Sequence, residues 1–182
     1  MNYLLLIKYL GHFSIAASVL MLPSALWSVY FREWGALAAL IGASLVAVIL
    51  GGLFTALGRR AANQMFHREA LALVGLGWLM MAALGALPFI FCGALGPVDA
   101  LFESMSGFTT TGATVITQLD GIPRSILFWR SFTHWLGGMG IIVLFVAVLP
   151  YLGAGGKQLF KSESPGPDPR GLKPRIKDTA SI

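Results

Sequence analysis

Four stretches of this 182-residue chain carry no charged side chain: residues 9–31, 34–58, 70–98 and 131–156, with 23, 25, 29 and 26 residues. A helix crosses the roughly 30 Å hydrocarbon layer of a bilayer with about 20 residues at about 1.5 Å rise each, so all four are long enough. In lipid, a segment must satisfy its own backbone hydrogen bonds, and a single apolar segment does this only as a helix. With 56% hydrophobic and 12% charged residues, the composition lies outside the ordinary soluble range. The expectation is an all-α membrane protein. The first run has an alternative reading as a cleaved signal peptide, because only Lys8 precedes it and small residues occur at Ser24 and Ala25. A signal h-region is usually about 7–15 residues, shorter than this run, so an uncleaved first span is predicted.

The formal charge is +5, and the positions of the cations say which partner they suit. With the N-terminus in the cytoplasm, Lys8, Arg59, Arg60, Arg68, Lys157, Lys161, Arg170, Lys173, Arg175 and Lys177 fall inside, and Arg32, Arg124 and Arg130 outside. Ten against three is the inside-positive bias of a multi-pass membrane protein with both termini cytoplasmic. A nucleic-acid-binding domain spreads its cations over a soluble face, so no nucleic acid partner is expected. Basic residues in the tail suit anionic lipid at about 1 kcal/mol each, although ordinary topology accounts for the same residues. A lone cysteine, Cys92, excludes an internal disulfide framework and a multi-cysteine metal site. His12, His67 and His134 have no metal-ligating neighbours at ligand spacing, and no phosphate loop or nucleophile–base pair stands out. No enzymatic activity and no organic cofactor are predicted.

The chain divides into two N-terminal transmembrane helices (1–58), a cytoplasmic loop (59–68), a helix–loop–helix unit (69–153) and a cytoplasmic linker (154–182). Pro23 is expected to bend the outer half of the first span. Within the unit, helices are predicted over 69–93, 97–107 and 125–152. Gly75, Gly77 and Gly85 suit close helix packing. Pro97 at a first helical position and Asp99 in the first turn favour a short helix there. Its eleven residues, 97–107, rise only about 16 Å, half of the membrane. Gly137, Gly138 and Gly140 thin the surface of the last helix. Gly153–Lys157 reads as a glycine cap. The Pro-, Gly- and charge-rich tail lacks the apolar surface to fold alone.

After the short helix comes "ESMSGFTTTGATVI", Glu103–Ile116. Non-helical backbone at membrane depth is tolerated only when it is buried in protein or lines a water-filled cavity. One reading is an ion selectivity filter over 110–114, in which extended Thr110, Thr111, Gly112 and Ala113 present successive carbonyl oxygens to a dehydrated cation. Threonine suits this because its hydroxyl adds an oxygen and its β-branch favours extended backbone, and Gly112 permits conformations that a side chain hinders. The carbonyl end of the short helix would favour a cation. Glu103 is expected to support the filter, as an anchor through hydrogen bonds, with Gly107 and Thr114 as further support. The other reading is a Ser/Thr-rich outer loop.

"ESMSGFTTTGATVI", followed by "WRSFTHWLGGMGIIVLFVAVLP" and "GGKQLFKSESPGP", resembles the first pore repeat of the Trk/Ktr potassium-uptake family, specifically its Trk-type membrane subunit. The resemblance covers nearly the whole chain, the two extra spans included. It implies four non-identical helix–loop–helix repeats around one pore in the bacterial inner membrane, with one central glycine per filter, matched here by Gly112. It also implies that Thr110, Thr111, Gly112 and Ala113 bind potassium, with no other metal, as one quarter of the filter. Thr114 stands where homotetrameric potassium channels have a second glycine, a departure that favours the Trk type. The implied partners are the remaining pore repeats, a cytoplasmic nucleotide-binding gating subunit, the lipid bilayer and further copies in a homo-oligomer. "LKPRIKDTASI" resembles the link into a second repeat, so a fragment of a potassium uptake subunit is expected. A homotetrameric cation channel and a non-conducting structural subunit are the alternatives.

Overall fold

The computed structural model describes residues 3–61 and 67–148. Expectations for 62–66, Pro150, the Gly153–Lys157 cap and the linker 154–182 lie outside the described residues. Two compact units divide the chain, residues 1–137 and 138–182. Of the second, only the last turns of one helix are described.

The elements are α1 (Tyr3–Leu20), α2 (Leu22–Tyr30), α3 (Trp34–Leu57), a short 3₁₀ turn (Gly58–Arg60), α4 (His67–Phe91), α5 (Pro97–Phe108) and α6 (Arg124–Val148). No strand occurs among the described residues. Tyr3–Tyr30, Trp34–Leu57 and Glu69–Phe91 are each long and apolar enough to cross a membrane, and α6 adds a helix of 25 residues. The protein is an all-α membrane protein: two peripheral spans, then a helix, a pore loop and a helix. Its surface is that of a lipid-facing molecule. Leu26, Ile49 and Leu71 are 72%, 67% and 65% exposed, and such rows of large aliphatics on a water-facing surface mark an unfilled interface.

The first span is interrupted at Met21, two residues before Pro23. Pro23 lies in the first turn of α2, and the break falls at Met21, where the amide bonds Ser18 three residues back at 3.3 Å. Proline removes an amide and crowds the carbonyl four residues earlier, so the distortion falls in the turn before it. α1 and α3 pack with almost no side chain between them at Gly11 and Gly51. A Cβ on Gly11 would stand 2.8 Å from the Gly51 carbonyl oxygen. Nearby, the buried Ser14 hydroxyl donates to Ala47 O at 2.7 Å.

α4 starts at His67 and ends at Phe91, so the helix predicted over 69–93 is shifted by two residues at each end. Its end is a Schellman cap: Ala94 N–H bonds Phe89 O at 3.0 Å, Gly93 N–H bonds Ile90 O at 3.0 Å, and Gly93 takes φ +72°. That left-handed turn is where glycine has its advantage. The chain reverses there and enters α5 with Gly96 as N-cap, Pro97 in the first turn and Asp99 behind it. α5 has 12 residues, about 18 Å of rise, too little to span the hydrocarbon layer. It stands in a core made by Met21, Leu40, Phe89, Ile126 and Trp129, none more than 1% exposed.

Candidate functional site

Three contacts fix where α5 ends. On one side, the Trp129 indole N–H donates to Gly85 O at 2.9 Å, tying α6 to α4. On the other, a Cβ on Gly107 would overlap the Thr133 side chain, and one on Gly137 would overlap the Phe108 carbonyl. Gly107 and Gly137 therefore let the last turn of α5 lie directly on α6. Bare backbone at these two points seats the short helix at its depth.

The end of α5 is itself a Schellman cap. Thr110 N–H bonds Gly107 O at 2.9 Å and Thr111 N–H bonds Ser106 O at 3.0 Å. The left-handed position that closes it is Thr110, with φ +57°. This corrects the expectation of extended backbone at Thr110. Two otherwise unpaired helix carbonyls gain partners, and that gain outweighs the preference of a β-branched side chain for negative φ. Gly112 follows at φ +76°. An added Cβ there would meet nothing within 4 Å, so the backbone conformation calls for glycine and crowding does not. In a strand, successive carbonyls point to opposite sides, and positive φ at Thr110 and Gly112 breaks that pattern.

The hydroxyls of this segment are mostly spent locally. Thr109 Oγ1 donates to Met105 O at 2.8 Å and lies 2.8 Å from Thr111 Oγ1. Thr110 Oγ1 donates to Thr109 O at 2.7 Å. Ser106 Oγ donates to Ala113 O at 2.6 Å. Thr114 Oγ1 donates to Glu103 Oε2 at 3.0 Å, and Val115 N–H reaches the same oxygen at 3.1 Å. The other oxygen, Glu103 Oε1, pairs with Arg130 Nε of α6. Glu103 is 1% exposed, and a buried acidic side chain needs such partners to offset the loss of water. One side chain thus joins α5, the Thr-Gly segment and α6. In front of this strut, Thr110, Thr111, Gly112 and Ala113 are all exposed.

The sequence-predicted residues accordingly separate into two groups. Thr110–Ala113 are consecutive exposed residues, whereas Glu103 and Gly107 are buried, and Thr114, exposed as well, turns its hydroxyl onto Glu103. Sequence reasoning missed Ser106 and Arg130 as partners. A signal for Arg130 was present: it is the one charged residue between Ser125 and Gly156, and Glu103 is the one between Ala100 and Leu119. Charges of opposite sign in neighbouring apolar helices pair. Ser106 had no such signal.

Glu33 was also missed. It accepts Arg124 N–H at 2.8 Å, Ser125 N–H at 3.0 Å and the Ser125 hydroxyl at 2.6 Å. A carboxylate from the turn before α3 therefore caps α6, more than ninety residues away. Arg124 adds its guanidinium over the Phe31 ring at 5.0 Å. Burial pushes the Glu33 carboxyl up, but the Ser125 hydroxyl, the two amides and the Arg124 charge outweigh it and hold the pKa below 4.5. These contacts fix the start of α6, on which Arg130, Thr133 and Gly137 are carried.

A family profile described as "TrkH: Cation transport protein" matches residues 42–182. The chain belongs to the TrkH family. Among its relatives, the Trk system potassium uptake protein TrkH of Halomonas elongata is 41% identical over 186 residues, covering 99% of this chain and 38% of the relative. Trk system potassium uptake protein TrkG of Escherichia coli K12 is 37% identical over 167 residues, covering 90% of this chain and 34% of the relative. The crystal structure of the potassium transporter TrkH from Vibrio parahaemolyticus superposes with TM-score 0.81 at 37% identity, over 100% of this chain and 36% of that one. The chain thus spans about 38% of the length of the TrkH relatives it matches. Within that share lie both peripheral spans and the helix, pore loop and helix described above.

Proposed function

We propose that this chain forms part of a potassium uptake system of the bacterial inner membrane, as one quarter of a carbonyl-lined selectivity filter. Thr110, Thr111, Gly112 and Ala113 are the potassium-binding residues in this reading, and Glu103, Gly107 and Thr114 support them. The observation that carries it is the half-length helix α5, closed by left-handed Thr110 and followed by an exposed Thr-Gly edge braced from behind by buried Glu103. An outer loop of similar composition has no need of an ion-paired, 1% exposed glutamate behind it. Kinship with TrkH and TrkG, named as potassium uptake proteins, supports the choice of cation.

The chemistry asked of the segment is modest. Potassium is the cargo, and a ring of main-chain oxygens replaces part of its water shell. The carbonyl end of α5 adds the negative end of a helix dipole, favourable to a cation. One quarter makes no ring, so the other three come from the rest of a longer chain or from other copies. A cytoplasmic nucleotide-binding gating subunit completes the system, with both termini of this chain on the cytoplasmic side.

The test is potassium-limited growth and rubidium flux of cells whose only uptake system is the full-length transporter containing this segment. Native chain is expected to support both, and Gly112→Asp to abolish both while still reaching the membrane. Equal uptake by the two would overturn the filter assignment and favour a non-conducting structural role.

A further inference from the structure

The four residues of the proposed filter edge are not equivalent. Among the described residues, no hydrogen bond is made to the carbonyl oxygens of Thr110, Thr111 or Gly112, whereas Ala113 O accepts the Ser106 hydroxyl at 2.6 Å. Ser106 is 5% exposed, on the inward side of α5. Its bond reaches seven residues ahead into the segment, although the usual outlet for a helical serine is the carbonyl one turn back. Next to it, the Thr114 hydroxyl is also turned back, onto Glu103. The backbone after Gly112 is therefore tied to α5, and the backbone before it keeps free carbonyls.

We infer that Ser106 is a positioning residue, one that holds the Ala113 carbonyl back from the ion path and so weakens potassium binding there. This rests on the filter reading above. The pull of an oxygen ring on a cation depends on how many oxygens it contains and on their field strength. With one carbonyl engaged from behind, the ring at Ala113 binds less tightly than rings built from free carbonyls. Conduction needs binding weak enough for the ion to leave again, and a weaker ring at Ala113 eases that departure. Ser106 does not touch the ion; it acts through Ala113.

The full-length transporter containing this segment is compared as native, Ser106→Ala and Ser106→Thr. Removing the hydroxyl frees the Ala113 carbonyl to face the cation. Half-saturating external potassium is expected to fall about fivefold in Ser106→Ala, the factor that one net hydrogen bond commands, without a rise in maximal uptake. Ser106→Thr keeps the donor and is expected to behave as native. Unchanged half-saturation in Ser106→Ala overturns the inference. So does equal loss of uptake in both variants, which marks a packing role. If Ser106→Ala reaches the membrane but transports nothing, potassium binding to the purified transporter is measured by calorimetry: tighter binding than native supports the inference, and equal or weaker binding overturns it. Gly112→Asp is run alongside, because uptake that survives it removes the filter reading whatever Ser106 does.

Discussion

Glu103 has three partners on two other parts of the chain, the Thr114 hydroxyl, the Val115 amide and Arg130. Removing it leaves Arg130, 23% exposed in its side chain, without its counter-ion. Breaking a buried pair from one side costs on the order of 3 kcal/mol. Glu103→Ala is therefore expected to lower the thermal midpoint of the purified transporter by several degrees, and Glu103→Gln, which keeps the acceptor oxygen, by less. Equal midpoints for native and Glu103→Ala would falsify the strut. Gly112 makes a different demand. At φ +76°, an alanine costs about 1–2 kcal/mol in backbone strain, with no clash to relieve, since the added Cβ meets nothing within 4 Å. Gly112→Ala is expected to fold and reach the membrane with uptake reduced, and full uptake would show that the left-handed conformation is dispensable. The unusual backbone of Gly112 was legible in the sequence, because a lone glycine after three threonines signals a φ that side chains hinder. Thr110 was misread, because a β-branched residue advertises extended backbone, and only the pairing of Ser106 O and Gly107 O reveals why it turns left-handed.

At the scale of elements, α6 is held at two places. Near its middle, Gly137 lies against the Phe108 carbonyl so closely that any Cβ collides with backbone. Overpacking of this kind costs about 1–3 kcal/mol, and here it separates α6 from the end of α5. Gly137→Val should abolish uptake while leaving membrane insertion intact, and native-like flux would show that α5 is seated by something else. At its start, Glu33 caps α6 with three hydrogen bonds. Glu33→Ala is expected to cost about 1 kcal/mol, the usual value of a lost cap. The pH dependence follows from the lowered carboxyl pKa. A group with a depressed folded-state pKa stabilises fully above its unfolded value, 4.5 here, and the contribution is lost as pH falls through the lower folded value. The stability gap between native and Glu33→Ala should thus be constant above about pH 5 and close below 4.5. A gap that does not change with pH would mean the carboxylate charge is not what caps α6. The half-length of α5 could be read from the sequence, because Pro97 opens it and the Thr-Gly run closes it, one residue beyond the predicted end. The Glu33 cap could not, since nothing local to "FREW" indicates a helix end ninety residues downstream.

For the whole molecule, the decisive feature is what the described residues leave uncovered. Val98, Leu101 and Phe102 on α5 are 80%, 45% and 46% exposed, on the same short helix that carries the strut. The edge Thr110–Ala113 is exposed as well, and on the function proposed above both are places for further repeats to pack. The chain reconstituted by itself in liposomes is expected to pass no potassium. Native mass spectrometry of the same sample decides between the alternatives: monomers without flux fit one quarter of a longer protein, and a four-copy particle with flux would make the chain a homotetrameric channel.

The membrane class, the all-helical character and the glycine at the centre of the candidate filter were legible in the sequence alone, whereas the helix limits were not: α4 lies two residues earlier than predicted and the first span is split at Met21. Each rests on local chemistry: uncharged length, proline and glycine punctuation, and a Thr-Gly run that lipid cannot tolerate unsupported. Tertiary structure decided which groups hold that run in place. The pairing of Glu103 with Arg130, the reach of Ser106 to Ala113 and the capping of α6 by Glu33 join residues 27, 7 and 91 positions apart. Such bonds depend on where separate helices, turns and loops come to lie, and no simple local pattern encodes them.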